Sequence, residues 1–444
     1  MEVQDMIRNH TLKQRDWYLN KLIAFQDTEP VKVVTGIRRC GKSSLLKLMT
    51  AHFLESGIRE DQILEMNFES HDFSKMSGDD FYQYVKGHTL PDRRMYYFFD
   101  EVQHVPGWEN AVNSFRVDFD CDIYVTGSNA YMLSSEYATY LSGRMIEIKM
   151  LPLSFAEFIK FYGFEIREIR GAFGETRKAV WDANGERYEL REVFNAYLRF
   201  GGMPGIADVG LNQERALILL EGIYSTVIMR DILERESRKG ERRVSDPELL
   251  NKVALFLADN IGSTISVSSI GNVLVNEGLL ESGNRKGAPS AHTIQAYVRA
   301  LQEAYVFYGI KRFDVRGKEF LRTQGKYYIV DIGLRNYLLG FRDRDIGHVL
   351  ENIVYFELLR RGFDVAVGKV DNSEIDFIAT KADSKMYVQV TESMTSEEVR
   401  KRELAPLQKI RDNYEKIVLS LEPGLETTYE GIRSVQLIDW LLSE

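Results

Sequence analysis

The chain has 444 residues, a net charge of −9 and two cysteines, Cys40 and Cys121. This composition excludes a disulfide scaffold and a cysteine-based zinc site, and it favours a reducing, cytoplasmic compartment. It contains no apolar run of ~18 residues that would cross a membrane, no secretory signal, and no overall positive charge for coating nucleic acid. Residues 1–30 have a helical pattern that ends at Pro30.

The next stretch has the order strand, glycine-rich loop, helix. Residues 31–35 are mostly apolar and predict a strand, and GIRRCGKS after them matches the phosphate-loop pattern G-x-x-x-x-G-K-[ST]. Such glycines let backbone N–H groups turn toward an anion, and the helix that follows adds its positive end. The residues predicted to bind the nucleotide are Gly36, Ile37, Arg38, Arg39, Cys40, Gly41, Lys42, Ser43 and Ser44.

Two acidic residues follow the third predicted strand, 96–99, which is apolar throughout. The pair is Asp100 and Glu101, about 60 residues beyond the loop. Asp100 and the Ser43 hydroxyl are predicted to hold Mg²⁺, Lys42 to contact the β- and γ-phosphates, and Glu101 to polarise the attacking water. The expected cofactors are therefore ATP and Mg²⁺.

Polar residues also end the fourth predicted strand, 123–126, in the sequence VTGSN. Asn129 is the first choice for a residue that senses the γ-phosphate, and Thr126 is the second. An equally weighted alternative is a capped turn, because Ser and Asn commonly cap helices. Further along, Arg144 precedes the fifth strand, 145–150. It is a candidate arginine finger, acting either within its own subunit or on a neighbour in a homo-oligomer.

The motifs GIRRCGKSS, FFDEVQ, VTGSN, LSGR and LPLSFAEF, in this order, resemble the prokaryotic AAA-type ATPases of the archaeal-ATPase and STAND-like group. FGGMP at residues 200–204 is similar to the family's GG-x-P motif, which starts a helical lid. The resemblance implies a P-loop core with strand order 5-1-4-3-2, and it supports Arg144 as the family's arginine. Cys40 departs from the family pattern. We expect a thiol beside the nucleotide, where oxidation or alkylation would block binding.

Residues 156–245 are mostly helical in pattern and are interpreted as the lid. Arg230 is a candidate nucleotide sensor, although a surface arginine held in a salt bridge is the preferred interpretation. The run 234–243 is almost entirely charged and predicts a solvated hinge.

Residues 246–345 predict three helices followed by two strands, the order of a winged helix. Residues 283–326 include nine basic residues and only three acidic ones, a charge excess that is typical of a surface contacting DNA phosphates. A lid or a protein-binding module is the alternative. The basic residues are Arg285, Lys286, Arg299, Lys311, Arg312, Arg316, Lys318, Arg322 and Lys326.

Residues 346–444 predict a helix that contains Glu351 and then three strands, with Asp376 on the second strand and Gln389 and Thr391 on the third. This order resembles the restriction-endonuclease-like PD-(D/E)XK core. In that core, acidic residues bind metal and a lysine assists the water. Here Thr391 stands in place of the lysine and Gln389 in place of the usual glutamate. We expect a binding fold without nuclease activity, unless another lysine such as Lys369 reaches the site.

The sequence thus predicts an α/β protein with four parts: an AAA+ P-loop core (1–155), a helical lid (156–245), a winged helix (246–345) and a nuclease-like domain (346–444). Its predicted function is Mg²⁺-dependent ATP hydrolysis, with nucleotide state coupled to the C-terminal domains, in one reading on DNA. The alternatives are an ATP-gated nuclease and an ATP-switched signalling scaffold that does not bind DNA.

Overall fold

The computed structural model describes residues 12–130, 143–170, 176–225, 231–238, 244–276, 289–317, 319–342, 345–424 and 426–443. These residues form two compact units. Unit 1 contains the chain up to Leu151 together with Glu303–Tyr305, and unit 2 contains Pro152–Gln302 and Val306–Glu444. Within the described ranges, no helix is both long enough and apolar enough to cross a membrane.

Unit 1 is a parallel sheet with helices on its faces. Its strands are β1 (Val31–Thr35), β2 (Ile63–Asn67), β3 (Met95–Asp100), β4 (Cys121–Gly127) and β5 (Met145–Lys149). Its helices are α1 (Asp16–Ala24), α2 (Lys42–Glu55), α3 (Gly78–His88) and α4 (Trp108–Asp118).

The five strands lie in the order β2-β3-β4-β1-β5, and every neighbouring pair is parallel. This confirms the predicted parallel sheet and its strand order. The central strands β1 and β3 are buried along their whole length, as expected where helices cover both faces. Since the strands are parallel, the residues that follow β1, β3 and β4 meet at one edge of the sheet.

Unit 2 starts with helices and one small antiparallel sheet, β6 (Glu165–Arg170), β7 (Thr176–Trp181) and β8 (Arg187–Glu189). The sheet falls within residues 156–245, the predicted lid, whose sequence is mostly helical in pattern. The helices of this first half are α5 (Phe155–Phe161), α6 (Leu190–Phe200), α7 (Ile206–Val209), α8 (Gln213–Tyr224), α9 (Ile232–Arg238), α10 (Pro247–Asp259), α11 (Val267–Asn276) and α12 (Ala291–Glu303).

The rest of unit 2 is a mixed eight-stranded sheet with four helices. Its strands are β9 (Phe307–Asp314), β10 (Glu319–Ile329), β11 (Asp364–Val370), β12 (Ser373–Lys381), β13 (Ser384–Ser393), β14 (Glu415–Glu422), β15 (Thr428–Tyr429) and β16 (Ile432–Gln436). Its helices are α13 (Ile332–Leu339), α14 (Ile346–Arg360), α15 (Glu397–Gln408) and α16 (Leu437–Leu442).

The predicted boundary at residue 345 runs between strands of this one sheet. β9 and β10, which were predicted to be the wing of a separate domain, form an antiparallel hairpin, and β9 also pairs in parallel with β11. The three helices α10–α12 and the hairpin lie in the predicted order, but the hairpin belongs to the C-terminal sheet. Wing strands have an open edge, and here β11 satisfies the backbone groups of that edge.

Gly202 of the GG-x-P motif is required by close backbone packing inside unit 2. The N–H of Gly202 donates to the buried Asp331 carboxylate at 2.6 Å, and its carbonyl accepts from Leu153 N–H at 2.7 Å. A Cβ on Gly202 would lie 2.3 Å from the Leu153 carbonyl oxygen. The LPLSF and GG-x-P motifs, far apart in sequence, therefore meet at one point.

Candidate functional site

The loop after β1 adopts a conformation that only glycine permits at two positions. Gly36 and Gly41 have φ angles of 145° and 106°. A Cβ on Gly36 would lie 2.1 Å from the carbonyl oxygen of Met150, so no side chain fits there. Ser43 and Ser44 are exposed in the first turn of α2, whose amino end carries the helix's partial positive charge.

Lys42 is buried at the start of α2 and points back into the loop. Its Nζ lies 3.3 Å from Oε1 of Glu101, and it donates to the carbonyls of Gly36 at 3.3 Å and Ile37 at 3.5 Å. Burial disfavours the charged ammonium, but Glu101 and the further negative groups near it, including Asp100, together raise the Lys42 pKa. The lysine is therefore charged, and long hydrogen bonds hold it at the loop.

Glu101 follows β3 in a left-handed backbone conformation, with φ 54° and ψ 46°. Its Oε2 accepts hydrogen bonds from the Gln103 amide and from the Ser128 hydroxyl at 3.0 Å. Burial alone would raise the pKa of this carboxyl, but Lys42, Gln103 and Ser128 together lower it to about 2. Glu101 is therefore ionised at neutral pH, as a general base must be.

Asp100 is the last residue of β3 and is held by the neighbouring strands. Its Oδ1 accepts from the Thr126 hydroxyl at 2.5 Å and its Oδ2 from the Asn67 amide at 3.2 Å. The Thr126 hydroxyl also accepts from the Glu101 N–H at 2.8 Å. Thr126, the second choice for a phosphate sensor, therefore holds both acidic residues, and its role as a sensor stays a prediction.

The donor set fits Mg²⁺ bound together with a nucleotide. Among the described residues, no group of three or more His, Cys, Asp or Glu side chains could hold a metal ion by itself. Mg²⁺ commonly binds through one or two protein oxygens plus substrate phosphates, and Asp100 and the exposed Ser43 would supply those oxygens. Their role as ligands stays a prediction.

A contact that the sequence did not reveal joins the N-terminal segment to the loop. Arg15 is buried and donates to the Cys40 carbonyl at 3.1 Å and to the Leu151 carbonyl at 3.0 Å. The Tyr18 hydroxyl accepts from the Leu151 N–H at 3.0 Å, and the Arg15 guanidinium lies over the Tyr18 ring. These residues support the loop from outside the motif, so no motif could have identified them.

Cys40 differs from expectation. Its side chain is fully buried, and burial raises the thiol pKa despite the nearby Lys42 ammonium. A buried neutral thiol is a poor nucleophile, because the thiolate is the reactive form. The expectation that alkylation or oxidation of Cys40 would readily block the site is therefore wrong for this conformation.

Arg144 lies at the opposite edge of the sheet from the loop. Its carbonyl accepts from the N–H of Val31, the first residue of β1, whereas the loop follows the last residue of that strand. At ~3.3 Å per residue the two ends of β1 are about 13 Å apart. The exposed Arg144 side chain donates to Asn113 on α4 at 3.4 Å. The Arg144 side chain therefore points away from the loop of its own subunit in this conformation, and its role as a finger stays a prediction.

Asn129 lies two residues beyond β4 and is half-buried, and its role as a sensor stays a prediction. Arg230 lies outside the described residues. The sequence analysis missed Gln103, Ser128 and Asn67, which hold the acidic pair. Gln103 belongs to the motif FFDEVQ and Ser128 to VTGSN, but the sequence does not show that the two side chains contact the same carboxylate.

The basic stretch is not one exposed patch. Lys326 is buried, Arg316 pairs with Asp371 at 2.6 Å, and half-buried Arg312 lies 3.9 Å from Glu374. Lys311 and Arg299 are exposed. The side chains of Arg285, Lys286, Lys318 and Arg322 lie outside the described residues. Lys326 was wrongly counted as a phosphate contact.

Lys326 instead lies at the centre of a buried carboxylate cluster in unit 2. Its Nζ is 3.2 Å from Glu351 on α14 and 2.7 Å from Glu374 on β12, and the Tyr328 hydroxyl also donates to Glu351 at 3.2 Å. Burial would lower the lysine pKa, but Glu351 and its acidic neighbours Asp376 and Glu374 raise it. We call Lys326, Glu351, Glu374 and Asp376 the C-terminal centre.

Asp376 carries the centre's remaining carboxyl. Burial raises its pKa well above the ordinary range and Glu351 adds to this, while its Oδ2 accepts from the Val390 N–H at 2.8 Å. Gln389 donates to Glu403 at 3.1 Å. Lys369 lies opposite Glu374 in the strand register and beside Asp314. The lysine that contacts Glu351 and Glu374 is Lys326, which the sequence analysis did not consider for this role, and a role for Lys369 stays a prediction.

Comparison with known proteins identifies the first part of the chain. A family model described as an AAA domain matches residues 28–159, and a second, described as a domain of unknown function, matches residues 191–345. The second match spans both the predicted lid and the predicted winged helix. Neither match identifies a winged helix or a nuclease-like domain.

Among solved structures, the chain is similar to a Walker-type ATPase of Pyrococcus abyssi, with 16% identity and a TM-score of 0.45 over 73% of this chain and 95% of that one. It is also similar to the Aeropyrum pernix Orc1 protein in complex with DNA, with 11% identity and a TM-score of 0.32 over 74% and 92% of the two chains.

Two relatives align along most of the sequence. An uncharacterized protein of Haemophilus influenzae is 38% identical over 432 residues, covering 96% of this chain and 98% of the relative. An uncharacterized protein of Methanocaldococcus jannaschii is 30% identical over 387 residues, covering 85% and 78%. The chain belongs to the same family as these two proteins, and its residues 28–159 are an AAA domain.

Proposed function

We propose that the protein binds ATP with Mg²⁺ and hydrolyses it. One observation carries the proposal: Lys42 and Glu101, which come from two separate motifs, meet at 3.3 Å at the edge of the sheet where the glycine-rich loop lies. Asp100 lies next to Glu101 in the chain, and Thr126 bonds to both. The arrangement combines a phosphate-binding cation, a metal-binding carboxylate and a base.

The residues divide the reaction among them. The loop N–H groups and Lys42 bind the phosphates, which compete with Glu101 for the lysine ammonium. Mg²⁺, held by Asp100 and Ser43, would neutralise charge on the β- and γ-phosphates. Glu101, once released from Lys42, orients the attacking water and accepts its proton.

We further propose that the nucleotide state of unit 1 controls unit 2. The Haemophilus influenzae relative aligns with 96% of this chain, so both units persist together in the family. An AAA domain changes conformation with its nucleotide, and such a change is useful only if a second element responds to it. In this reading unit 2 is the output element.

The test of ATP hydrolysis uses two substitutions with different expected defects. Lys42→Ala should abolish ATP binding, because it removes the phosphate cation. Glu101→Gln should bind ATP normally and lose turnover by ~10²–10⁴-fold, the usual contribution of a general base. Lys47→Ala, an exposed lysine in the same helix, is the matched control and should behave as wild type. If Glu101→Gln hydrolyses ATP at the wild-type rate, the base is another residue.

Arg144 is proposed to complete a neighbouring subunit's site in a homo-oligomer. Arg144→Ala should then keep nucleotide affinity and lose turnover, and mixing it with Glu101→Gln protein should restore some activity. The mixture contains sites that combine an intact Glu101 with a neighbour's Arg144. Absence of restoration in a preparation shown to be oligomeric would remove this role.

An ATP-gated nuclease is the second candidate, because Lys326 brings a cation to Glu351 and Asp376. We propose that the centre nevertheless lacks nuclease activity. Lys326 is ion-paired to two carboxylates, and its side chain is 4% exposed, so it is not available to a hydrolytic water. The protein with ATP and Mg²⁺ or Mn²⁺ should cut neither single- nor double-stranded DNA. Metal-dependent cleavage that disappears in Asp376→Ala would establish the nuclease.

A protein that couples ATP hydrolysis to DNA binding and a signalling scaffold without DNA differ in whether they retain DNA. Retention of duplex DNA should be measured with and without ATP at two salt concentrations. Binding that weakens with salt indicates phosphate contacts, because each contact releases counterions. Absence of retention at low salt would favour the scaffold.

A further inference from the structure

The two oxygens of the Glu101 carboxylate have different partners. Oε1 is the oxygen near Lys42, at 3.3 Å. Oε2 accepts from the Gln103 amide and from the Ser128 hydroxyl, and Gln103 also donates to Ser128 at 3.4 Å. Gln103 and Ser128 therefore form a closed triangle on one oxygen, which we call the Gln103–Ser128 clamp.

We propose that Gln103, through this clamp, is a positioning residue for ATP hydrolysis. The proposal deepens the proposed function and rests on it. When phosphates draw Lys42 away, only Oε1 of Glu101 loses its partner, while the clamp keeps Oε2 in place. The carboxylate then presents Oε1, and not a freely rotating group, to the attacking water.

The water oxygen forms a bond to the γ-phosphorus, and the bond from that phosphorus to the β–γ bridging oxygen breaks. One proton of the water passes to Oε1 of Glu101. The products are ADP and inorganic phosphate, and Glu101 later returns its proton to solvent.

The backbone supports this arrangement. Glu101 is left-handed, and its N–H is bonded to Thr126 at 2.8 Å, so the chain reverses at once into a short 3-10 turn at Val102–His104. The turn brings Gln103 back over the residue two positions before it. Ser128 reaches the same oxygen from the end of β4. Two separate segments therefore converge on Oε2.

A second observation separates this role from a stabilising one. The Oε1 atom of Gln103 is buried and accepts no hydrogen bond from the described residues. A buried acceptor without a hydrogen bond destabilises a fold, and an apolar residue would avoid that. Rotating the amide would remove the donor that the carboxylate needs. The choice of glutamine is therefore explained by what its amide does to Glu101.

Gln103→Leu preserves the side-chain size and removes the clamp. We expect single-turnover hydrolysis to fall about 10- to 100-fold, the effect of a misplaced reacting group, while the ATP Kd changes less than about threefold. Ser128→Ala should give a smaller loss of the same kind, and it tests the clamp if Gln103→Leu fails to fold. Gln62→Leu is the matched control, since Gln62 donates to the Arg94 carbonyl at 2.9 Å, outside the site.

A double-mutant cycle tests whether the effect acts through Glu101. Residues that act through one group are not additive, so Gln103→Leu should cost little further turnover in the Glu101→Gln protein. An active wild type with an unchanged Gln103→Leu rate, or a full additional loss in the Glu101→Gln background, would overturn the inference alone. A wild type with no Lys42-dependent hydrolysis would overturn the proposed function as well.

Discussion

Two buried lysine–glutamate pairs, one in each unit, have nearly the same geometry. Lys42 lies 3.3 Å from Glu101, and Lys326 lies 3.2 Å from Glu351. Their surroundings differ. Lys42 sits behind a loop of backbone N–H groups beside two exposed serines, whereas Lys326 lies within the C-terminal centre and also pairs with Glu374 at 2.7 Å.

The distance between two charges therefore does not determine whether the ion pair is exchangeable or permanent. A buried pair is stable only while nothing better solvates its members. In the proposed function, a polyphosphate carries more charge than Glu101 and also satisfies the loop, so it takes over Lys42. Lys326 instead serves two carboxylates, Glu351 and Glu374. We interpret the first pair as exchangeable and the second as permanent.

The largest expected effect is on the ATP Kd, which should change on replacing Lys42 but not on replacing Lys326. Lys42→Ala should abolish measurable ATP binding, a rise in Kd on the order of 100-fold or more, equivalent to at least about 2.7 kcal/mol, because it removes the cation proposed to contact the phosphates. Lys326→Ala should leave the Kd within about twofold. The measurement is calorimetric or fluorescent titration of both proteins. A large Kd change in Lys326→Ala would show that the C-terminal centre influences nucleotide binding, and the contrast would fail.

The next largest effect is on the free energy of unfolding, where replacing Lys326 should matter more than replacing Lys42. Lys326→Met leaves two carboxylates without their cation and should destabilise unit 2 by ~3–5 kcal/mol, the usual cost of breaking a buried pair. Lys42→Met should cost less, because Gln103 and Ser128 still bond Glu101. Both are measured by chemical denaturation in the absence of nucleotide.

Lys401→Met is the control for that comparison, because its pair with Glu397 is exposed and should contribute ~0–1 kcal/mol. If Lys326→Met is no more destabilising than Lys401→Met, the C-terminal centre does not depend on its lysine.

Local patterns predicted unit 1 well. The bounds of β1 match the predicted residues 31–35, because an apolar strand before a glycine-rich loop leaves little freedom. The strand order came from the family resemblance, and the sheet confirmed it. Both predictions rest on short stretches of sequence: the apolar pattern of one strand and the motifs that carry the family resemblance.

Contacts between distant residues were beyond the sequence. Lys326 and Glu351 are 25 residues apart, and they become neighbours because α14 packs against β10. In the sequence alone Lys326 is one of nine basic residues in a basic stretch, so it was predicted to contact DNA phosphates. Arg15 and Leu151 are 136 residues apart and pose the same difficulty. Charge patterns predict solvated surfaces, and they fail where a fold buries one member of the run.

The smallest expected effect concerns the charge of Asp376 and tests whether the C-terminal centre is complete without a metal ion. Burial, with Glu351 adding to it, holds the Asp376 pKa well above its value in an unfolded chain, ~3.9. The stability that such a group contributes is fully present below the unfolded pKa and is lost as pH rises through the folded pKa. Asn cannot titrate, and its Oδ1 can still accept from the Val390 N–H. Asp376→Asn should therefore gain Tm relative to wild type as pH rises from about 5 to about 9.

That pH series has a matched control and a decisive alternative. Asp383→Asn, in the exposed turn between β12 and β13, should keep a constant difference from wild type across the series. The series is repeated with millimolar Mg²⁺ or Mn²⁺. If Lys326 supplies the cation that the C-terminal centre needs, the metal leaves the wild-type Tm unchanged. A metal ion that binds there would instead favour ionised Asp376, so wild type would gain Tm with metal and Asp376→Asn would not. That result would show an exchangeable centre like the one at Lys42, and it would favour the nuclease.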